Sequence, residues 1–150
     1  MDQSRHIEQT GAAALPPRLV LYDGVCGFCT RAVQRLLAVD LDGRLHFAPL
    51  QGATAAALRR RHPKIPDDID TIVYVETTDS DEYVFLRSEA IFRIYVALEV
   101  KSRLTSWLRL LPRSWTDLGY RLFGHLRYRL FGKLDACSVP SAEQRDRFLP

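Results

Sequence analysis

The chain has 150 residues, 47% of them hydrophobic and 26% charged, the make-up of one globular domain that buries a core without disulfide or metal staples. That composition excludes a collagen, a chain disordered throughout and a disulfide-dense secreted scaffold, and no apolar run approaches the roughly 18–20 residues of a membrane span. The net charge of +3 conceals an asymmetry: Lys101 to Lys133 holds eight Lys or Arg against one acid, Asp117, which makes +7 there and −4 over the rest.

Residues 1–17 read as a flexible tail, polar, then alanine-rich, closing on Pro16-Pro17. Asp2, Arg5, His6 and Glu8 precede any apolar stretch, so no secretory signal is read and the expected compartment is the cytoplasm, where thiols stay mostly reduced. Arg18 to Tyr22 is a short apolar run closed by Asp23-Gly24, a buried strand ending in a turn. Ala32, Val33, Leu36, Leu37 and Val39 recur at helical spacing over Thr30–Val39. Asp42-Gly43 marks a turn, and Arg44 to Gln51 alternates as a second strand, completing a βαβ unit whose crossover is expected to be right-handed.

Thr54 to Arg61 reads as a short helix stopped by Pro63 and Pro66. Asp70 to Glu76 is the clearest strand by β-branched content, and Glu82 to Leu86 returns after a polar turn as the second arm of a hairpin. Ser88 is placed as the N-cap of the next helix, with Glu89 where the helix dipole favours an acid, and that helix runs to Leu98. Beyond Val100 no strand is read. Leu104–Leu111 and Trp115–Phe131 are expected helices divided by Pro112, with Gly132 as C-cap. Tyr-Arg-Leu-Phe-Gly occurs twice, at Tyr120–Gly124 and Tyr128–Gly132. Eight residues displace the copies by about 80° around a helix, which makes a wide apolar face rather than a repeat architecture. Ala136 to Pro150 is polar and irregular apart from Phe148-Leu149. The chain is therefore read as a tail followed by a single domain over 18–150, with 103–133 as a helical extension.

Chemistry concentrates in Asp23-Gly24-Val25-Cys26-Gly27-Phe28-Cys29. Two cysteines two residues apart follow a strand and open a helix. Free backbone N–H groups and the helix dipole stabilise a thiolate there, and one helical turn brings the two sulfurs within disulfide reach. A thiolate is the nucleophile of thiol–disulfide exchange. Cys26, at the start of the helix, is expected to be the more exposed and more acidic thiol, and Cys29 the resolving one. Half a zinc site is the rival reading of this spacing. Its other half is wanting, because Cys137 is the third and last cysteine and no His stands near it or near the pair.

Asp23 either relays a proton at the exchange site or forms the turn with Gly24. Phe28 either presents an apolar surface beside the attacking sulfur or packs under the helix. Ser88-Glu89 either caps a helix or receives a substrate backbone or carboxylate. Cys137 is a third redox thiol or a lone structural cysteine. His6, His46, His62 and His125 form no recognisable cluster, and there is no Walker loop or dinucleotide fingerprint.

The run Leu21 to Cys29, followed by Val33, Leu36, Asp40, Gly43 and Phe47-Ala48-Pro49-Leu50-Gln51, resembles the DCC family of thiol-disulfide oxidoreductases. Arg87-Ser88-Glu89-Ala90-Ile91 is similar to that family's Arg-Ser-Asp/Glu-Ala helix start. Pro112-Arg113, Tyr120-Arg121, Arg127-Tyr128-Arg129, Phe131-Gly132, Asp135, Cys137, Pro140 and Arg147-Phe148-Leu149 match its C-terminal part, so the likeness covers about residues 18–149. It implies a thioredoxin-like fold, Cys26 and Cys29 as the redox pair, and Asp23 as part of the signature. Leu126 stands where the family is expected to carry a polar Asn. Thioredoxins also place a cis-proline before the third strand, facing the cysteines; here the nearest prolines are Pro63 and Pro66. A helix opening at Ser88-Glu89 after a hairpin also looks like the N-terminal domain of glutathione transferases, which keeps a glutathione-linked activity as a variant.

The expected architecture is thus α/β, a thioredoxin-like α/β/α sandwich with a four-stranded mixed sheet and a C-terminal helical extension. The expected reaction is dithiol–disulfide exchange on a disulfide-containing protein or small thiol substrate, with Cys26, Cys29 and Asp23 at the chemistry and Gly27, Phe28 and Ser88 toward the substrate. It calls for no metal and no organic cofactor, and no nucleic acid partner is expected. The rival function is a binding module, whose basic, aromatic helices with Trp107 and Trp115 would meet an acidic protein or lipid surface as a peripheral contact. A redox-dead relative with buried thiols is a third reading.

Overall fold

A computed structural model describes residues 15–67, 72–79, 81–100, 112–132 and 141–150. The elements in chain order are β1 (Arg18–Tyr22), α1 (Gly27–Val39), β2 (His46–Pro49), α2 (Ala53–Arg61), β3 (Val73–Thr77), β4 (Glu82–Leu86), α3 (Arg87–Ala97), α4 (Arg113–Phe131) and a 3-10 turn (Ala142–Arg147). The helix expected at 104–111, with Trp107, and also Cys137 lie outside the described residues.

The strands order as β2-β1-β3-β4. β1 runs parallel to β2, with Val20 opposite Phe47, and antiparallel to β3, with Val20 opposite Tyr74. β3 pairs with β4 as an antiparallel hairpin, Val75 opposite Val84. This is the expected four-stranded mixed sheet. Side-chain alternation assigns its two faces. Leu19, Leu21, Ala48, Val73 and Val75 point to one side, where Ala55 and Leu58 of α2 and Ile65 close over them. Val20, Tyr22, Phe47 and Tyr74 point to the other, under Val33 and Leu37 of α1 and Ala90 and Ile94 of α3. Each of the large fully buried side chains contributes about 1.5–3 kcal/mol of transfer free energy. Helix α4 then packs against α1 and α3. It starts after Pro112 and ends before Gly132, whose φ of 73° is the left-handed conformation that stops a helix.

Helix α1 starts at Gly27 with Cys26 itself as the N-cap, so the cysteines open the helix as expected. One boundary differs from expectation for a local reason. Ser88 is not the N-cap of α3: Leu86 holds that position and Ser88 is the second residue of the helix. Strand β4 feeds α3 with no loop, and Arg87 makes the turn at φ 55°, a conformation costing a non-glycine L-residue about 1–2 kcal/mol. Its N–H donates to the Ile72 carbonyl at 3.0 Å, which ties the junction to the start of β3. The peptide bonds of the described residues are all trans, those before Pro63 and Pro66 included, and Ile72 directly precedes β3.

The C-terminal segment is more ordered than its composition announced. Phe148 forms a parallel bridge to Phe47, with their rings stacked at 5.4 Å, and the Leu149 N–H donates to the Phe47 carbonyl at 2.8 Å. The segment therefore covers the outer edge of β2, which would otherwise present unpaired backbone groups. Thr54 N–H, in the first turn of α2, donates to the Pro150 carbonyl at 2.8 Å. A Cβ at Gly52 would lie 2.7 Å from the Pro150 carbonyl carbon, so close approach is what requires glycine there. At the other end of the chain, the Thr77 N–H donates to the Pro17 carbonyl.

Asp40 closes α1 and is buried. Its carboxylate accepts N–H groups of Arg44 (2.9 Å) and Leu45 (2.8 Å) and pairs with the Arg147 guanidinium. His46, beside this pair, has its pKa lowered, first by burial and then by the Arg147 charge, with Asp40 opposing. A histidine held neutral in the fold and free to protonate when unfolded makes the unfolded state bind more protons. Stability is then full above the ordinary histidine range near 6.5 and falls as pH drops through and below it. Urea midpoints measured from pH 7.5 down to 5.5 should decline, and His46→Gln should remove that part of the decline.

Candidate active site

Three strands, β1, β2 and β4, leave the sheet at one end, and α1, α2 and α3 begin there. The loop from Asp23 to Cys26 lies at that end and is built by hydrogen bonds before any chemistry is considered. Asp23 is 1% exposed. Its Oδ1 accepts the Val25 N–H at 3.1 Å and the Gln51 Nε2–H at 2.8 Å. Gln51 in turn accepts the Gly24 N–H at 3.2 Å, and the Cys26 N–H donates to the Asp23 carbonyl at 3.3 Å. A buried carboxylate and a side-chain amide thus fix the three residues that deliver Cys26 to the helix.

Cys26 Sγ sits as the N-cap of α1 and accepts the Cys29 N–H at 3.4 Å. Cys29 lies one turn in and packs beside the core face that contains Tyr22 and Val33. Both cysteines are free thiols. The expected order of exposure is reversed: Cys26 is fully buried, 0% exposed, and Cys29 is partly exposed. The capping geometry is the reason. To meet the amide of Cys29 the Cys26 side chain folds back over the first turn instead of projecting from it.

Gly27 is buried and Phe28 half-buried. The Phe28 ring meets Phe123 of α4 edge-on, 4.7 Å between centroids and 69° between planes. The dipeptide between the cysteines is therefore also the docking point of the helical extension. Ser88 is half-buried at the same end of the sheet, because Val73 pairs with both Leu21 and Leu86. Asp23, Cys26, Gly27, Phe28 and Cys29 form one continuous loop and first turn, and Ser88 lies in the first turn of α3 at the same end of the sheet. Among the described residues no group of three or more His, Cys, Asp or Glu could hold a metal ion.

A family model described as DCC1-like thiol-disulfide oxidoreductase matches residues 20–133. The chain belongs to this family. It is 33% identical over 136 residues to the uncharacterized protein YuxK of Bacillus subtilis (strain 168), covering 91% of this chain and 96% of that one. It is 30% identical over 122 residues to the DCC family protein At1g52590 of Arabidopsis thaliana, described as chloroplastic, covering 81% of this chain and 69% of the relative. No solved structure matches significantly. Membership supports a redox function in general terms, carried by a family whose name is thiol-disulfide oxidoreductase. No described helix is long and apolar enough to cross a membrane.

Reasoning along the sequence assigned no role to Gln51 or Phe123. Gln51 stood inside the Phe47–Gln51 run that carried the family likeness, which was the available signal. Its part depends on a contact 28 residues away. Gln51→Ala leaves the Gly24 N–H and one lone pair of a buried carboxylate without this partner, a loss of about 1–2 kcal/mol in urea unfolding. The same variant should slow disulfide exchange without removing either thiol, because the loop holding Cys26 loosens.

Proposed function

We propose that the protein is a thiol–disulfide oxidoreductase in which Cys26 attacks and Cys29 resolves. The observation that carries this reading is the position of Cys26 Sγ at the N-cap of α1, with the Cys29 N–H directed at it. A helix N-terminus and an aimed N–H both favour negative charge on that sulfur. The Cys26 thiolate attacks one sulfur of a substrate disulfide, forms a mixed disulfide and expels the other substrate sulfur as a thiolate, which takes up a proton. Cys29 then loses its proton and attacks Cys26 Sγ, releasing the second substrate thiolate. Two electrons pass from the pair to the substrate, and the Cys26–Cys29 disulfide remains.

Asp23 serves as a positioning residue on this reading, since its carboxylate is engaged by the Val25 N–H and by Gln51. Gly27 and Phe28 set the spacing of the sulfurs, and Ser88 faces the substrate side. The substrate class is a disulfide-containing protein or a small disulfide such as that of glutathione, and a reducing compartment such as the cytoplasm would regenerate the dithiol.

The burial of Cys26 favours a second order of events. Cys29 is the sulfur that solvent reaches, so in this order Cys29 attacks the incoming disulfide and expels one substrate thiolate, and Cys26 then attacks Cys29 Sγ and releases the other. A redox titration trapped by alkylation and read by peptide mass tests the common core of both. A reversible two-electron transition of the pair, at a potential of roughly −120 to −270 mV, is expected. Thiols that never form the Cys26–Cys29 disulfide would overturn it.

A further inference from the structure

Helix α4 is apolar well beyond its inner side. That side carries the buried Gly124, and Phe123, about 80° around the helix from the middle of the outer row, is set against Phe28. The outer side carries Trp115, Leu118, Leu122, Leu126 and Leu130, which are 72%, 69%, 61%, 39% and 66% exposed. At 100° per residue these five fall within an arc of about 120°, centred opposite Gly124. Arg121, His125 and Arg129, all exposed, drift across one border of the arc: Arg121 and His125 lie about 60° and 20° outside it and Arg129 about 20° inside. A surface helix normally turns a polar face outward, and a continuous exposed apolar ridge marks a contact surface.

We propose that this ridge docks on an anionic lipid bilayer, with α4 lying in the plane of the headgroups. Charge selects the occupant. The helix holds four Arg and one acid, Asp117, within a segment of eight basic residues and one acid. Two copies of α4 packed through the ridge would offer no run of acids to meet Arg121 and Arg129, whereas acidic headgroups supply anions along the whole border while the leucines enter the acyl boundary. Trp115, at one end of the row, suits the headgroup level. The helix is not of a kind that crosses the bilayer, so it lies on the surface. The proposal is independent of the redox reading.

Vesicle flotation of the full-length reduced protein tests it. The protein should float with vesicles of equimolar phosphatidylcholine and phosphatidylglycerol, remain behind with phosphatidylcholine alone, and be released by salt. Leu118→Asp with Leu122→Asp, both well exposed and so compatible with folding, should lower the bound fraction about tenfold or more, with circular dichroism and the redox titration unchanged. Arg121→Glu with Arg129→Glu should do the same. In a Trp107→Phe background, Trp115 emission should shift to the blue on mixed vesicles. Absence of flotation with mixed vesicles overturns the proposal, as does equal binding to both compositions. A dimer in sedimentation equilibrium that the leucine variant dissociates, without vesicle binding, would show a second copy to be the occupant and overturn it too.

Discussion

Cys26→Ser should reduce turnover of a small aromatic disulfide, followed by release of its coloured thiolate, by about three orders of magnitude or more. A hydroxyl at the same N-cap keeps the hydrogen bond to the Cys29 N–H and hence the helix, so circular dichroism and the urea midpoint should scarcely move. Cys29→Ser should instead complete the first half of the reaction and stop. Its product is a mixed disulfide on Cys26, stoichiometric with protein and visible as added mass on the peptide containing it. The two variants together separate the possible orders of attack. If the trapped adduct appears on Cys29 in the Cys26→Ser protein, and Cys29→Ser is inert, the partly exposed sulfur is the one that attacks.

Arg147→Ala should cost about 3 kcal/mol of folding stability, a large share of the 5–15 kcal/mol that a domain of this size has in all. Asp40 remains buried after the change and loses its only charged partner among the described residues. Arg147 also donates through Nε to the Leu45 carbonyl at 3.0 Å, so one guanidinium serves both the carboxylate and the backbone. Lysine keeps the charge but lacks the fork, and Arg147→Lys should recover less than half of the loss. Urea unfolding of both variants measures this. An Arg147→Ala protein within about 0.5 kcal/mol of the parent, the range of an ordinary surface change, would show the pair to be incidental.

These two predictions differ in how far their basis could be read along the chain. The alternation of Leu19 and Leu21 against Val20 and Tyr22 announces a strand buried on both faces, and the sheet has it so. The Cys26–Cys29 spacing between a strand and a helix announces the site. What spacing cannot carry is the rotamer of a capping side chain, and that rotamer reverses the expected exposure of the two thiols. Ser88 was misplaced as a cap because a serine beside an acid usually marks a helix start preceded by a loop. Here Arg87 accepts a left-handed turn and removes the loop. Gln51 and Phe123 act on the motif only through the folded topology, and Arg147 reaches Asp40 across 107 residues.

That last separation bears on the order in which the protein is made. While the ribosome still holds residues after Phe131, all four strands can already pair. Yet Asp40 then has no counter-ion, β2 has an uncovered edge, and α2 lacks the carbonyl that Thr54 binds. A nascent chain in this state is a sheet open on one side, and non-local closures of this kind are slow to form. Final consolidation waits for residues 141–150 to leave the exit tunnel. Until then the growing chain offers chaperones, or another unfinished copy, a hydrophobic strand to which they can bind.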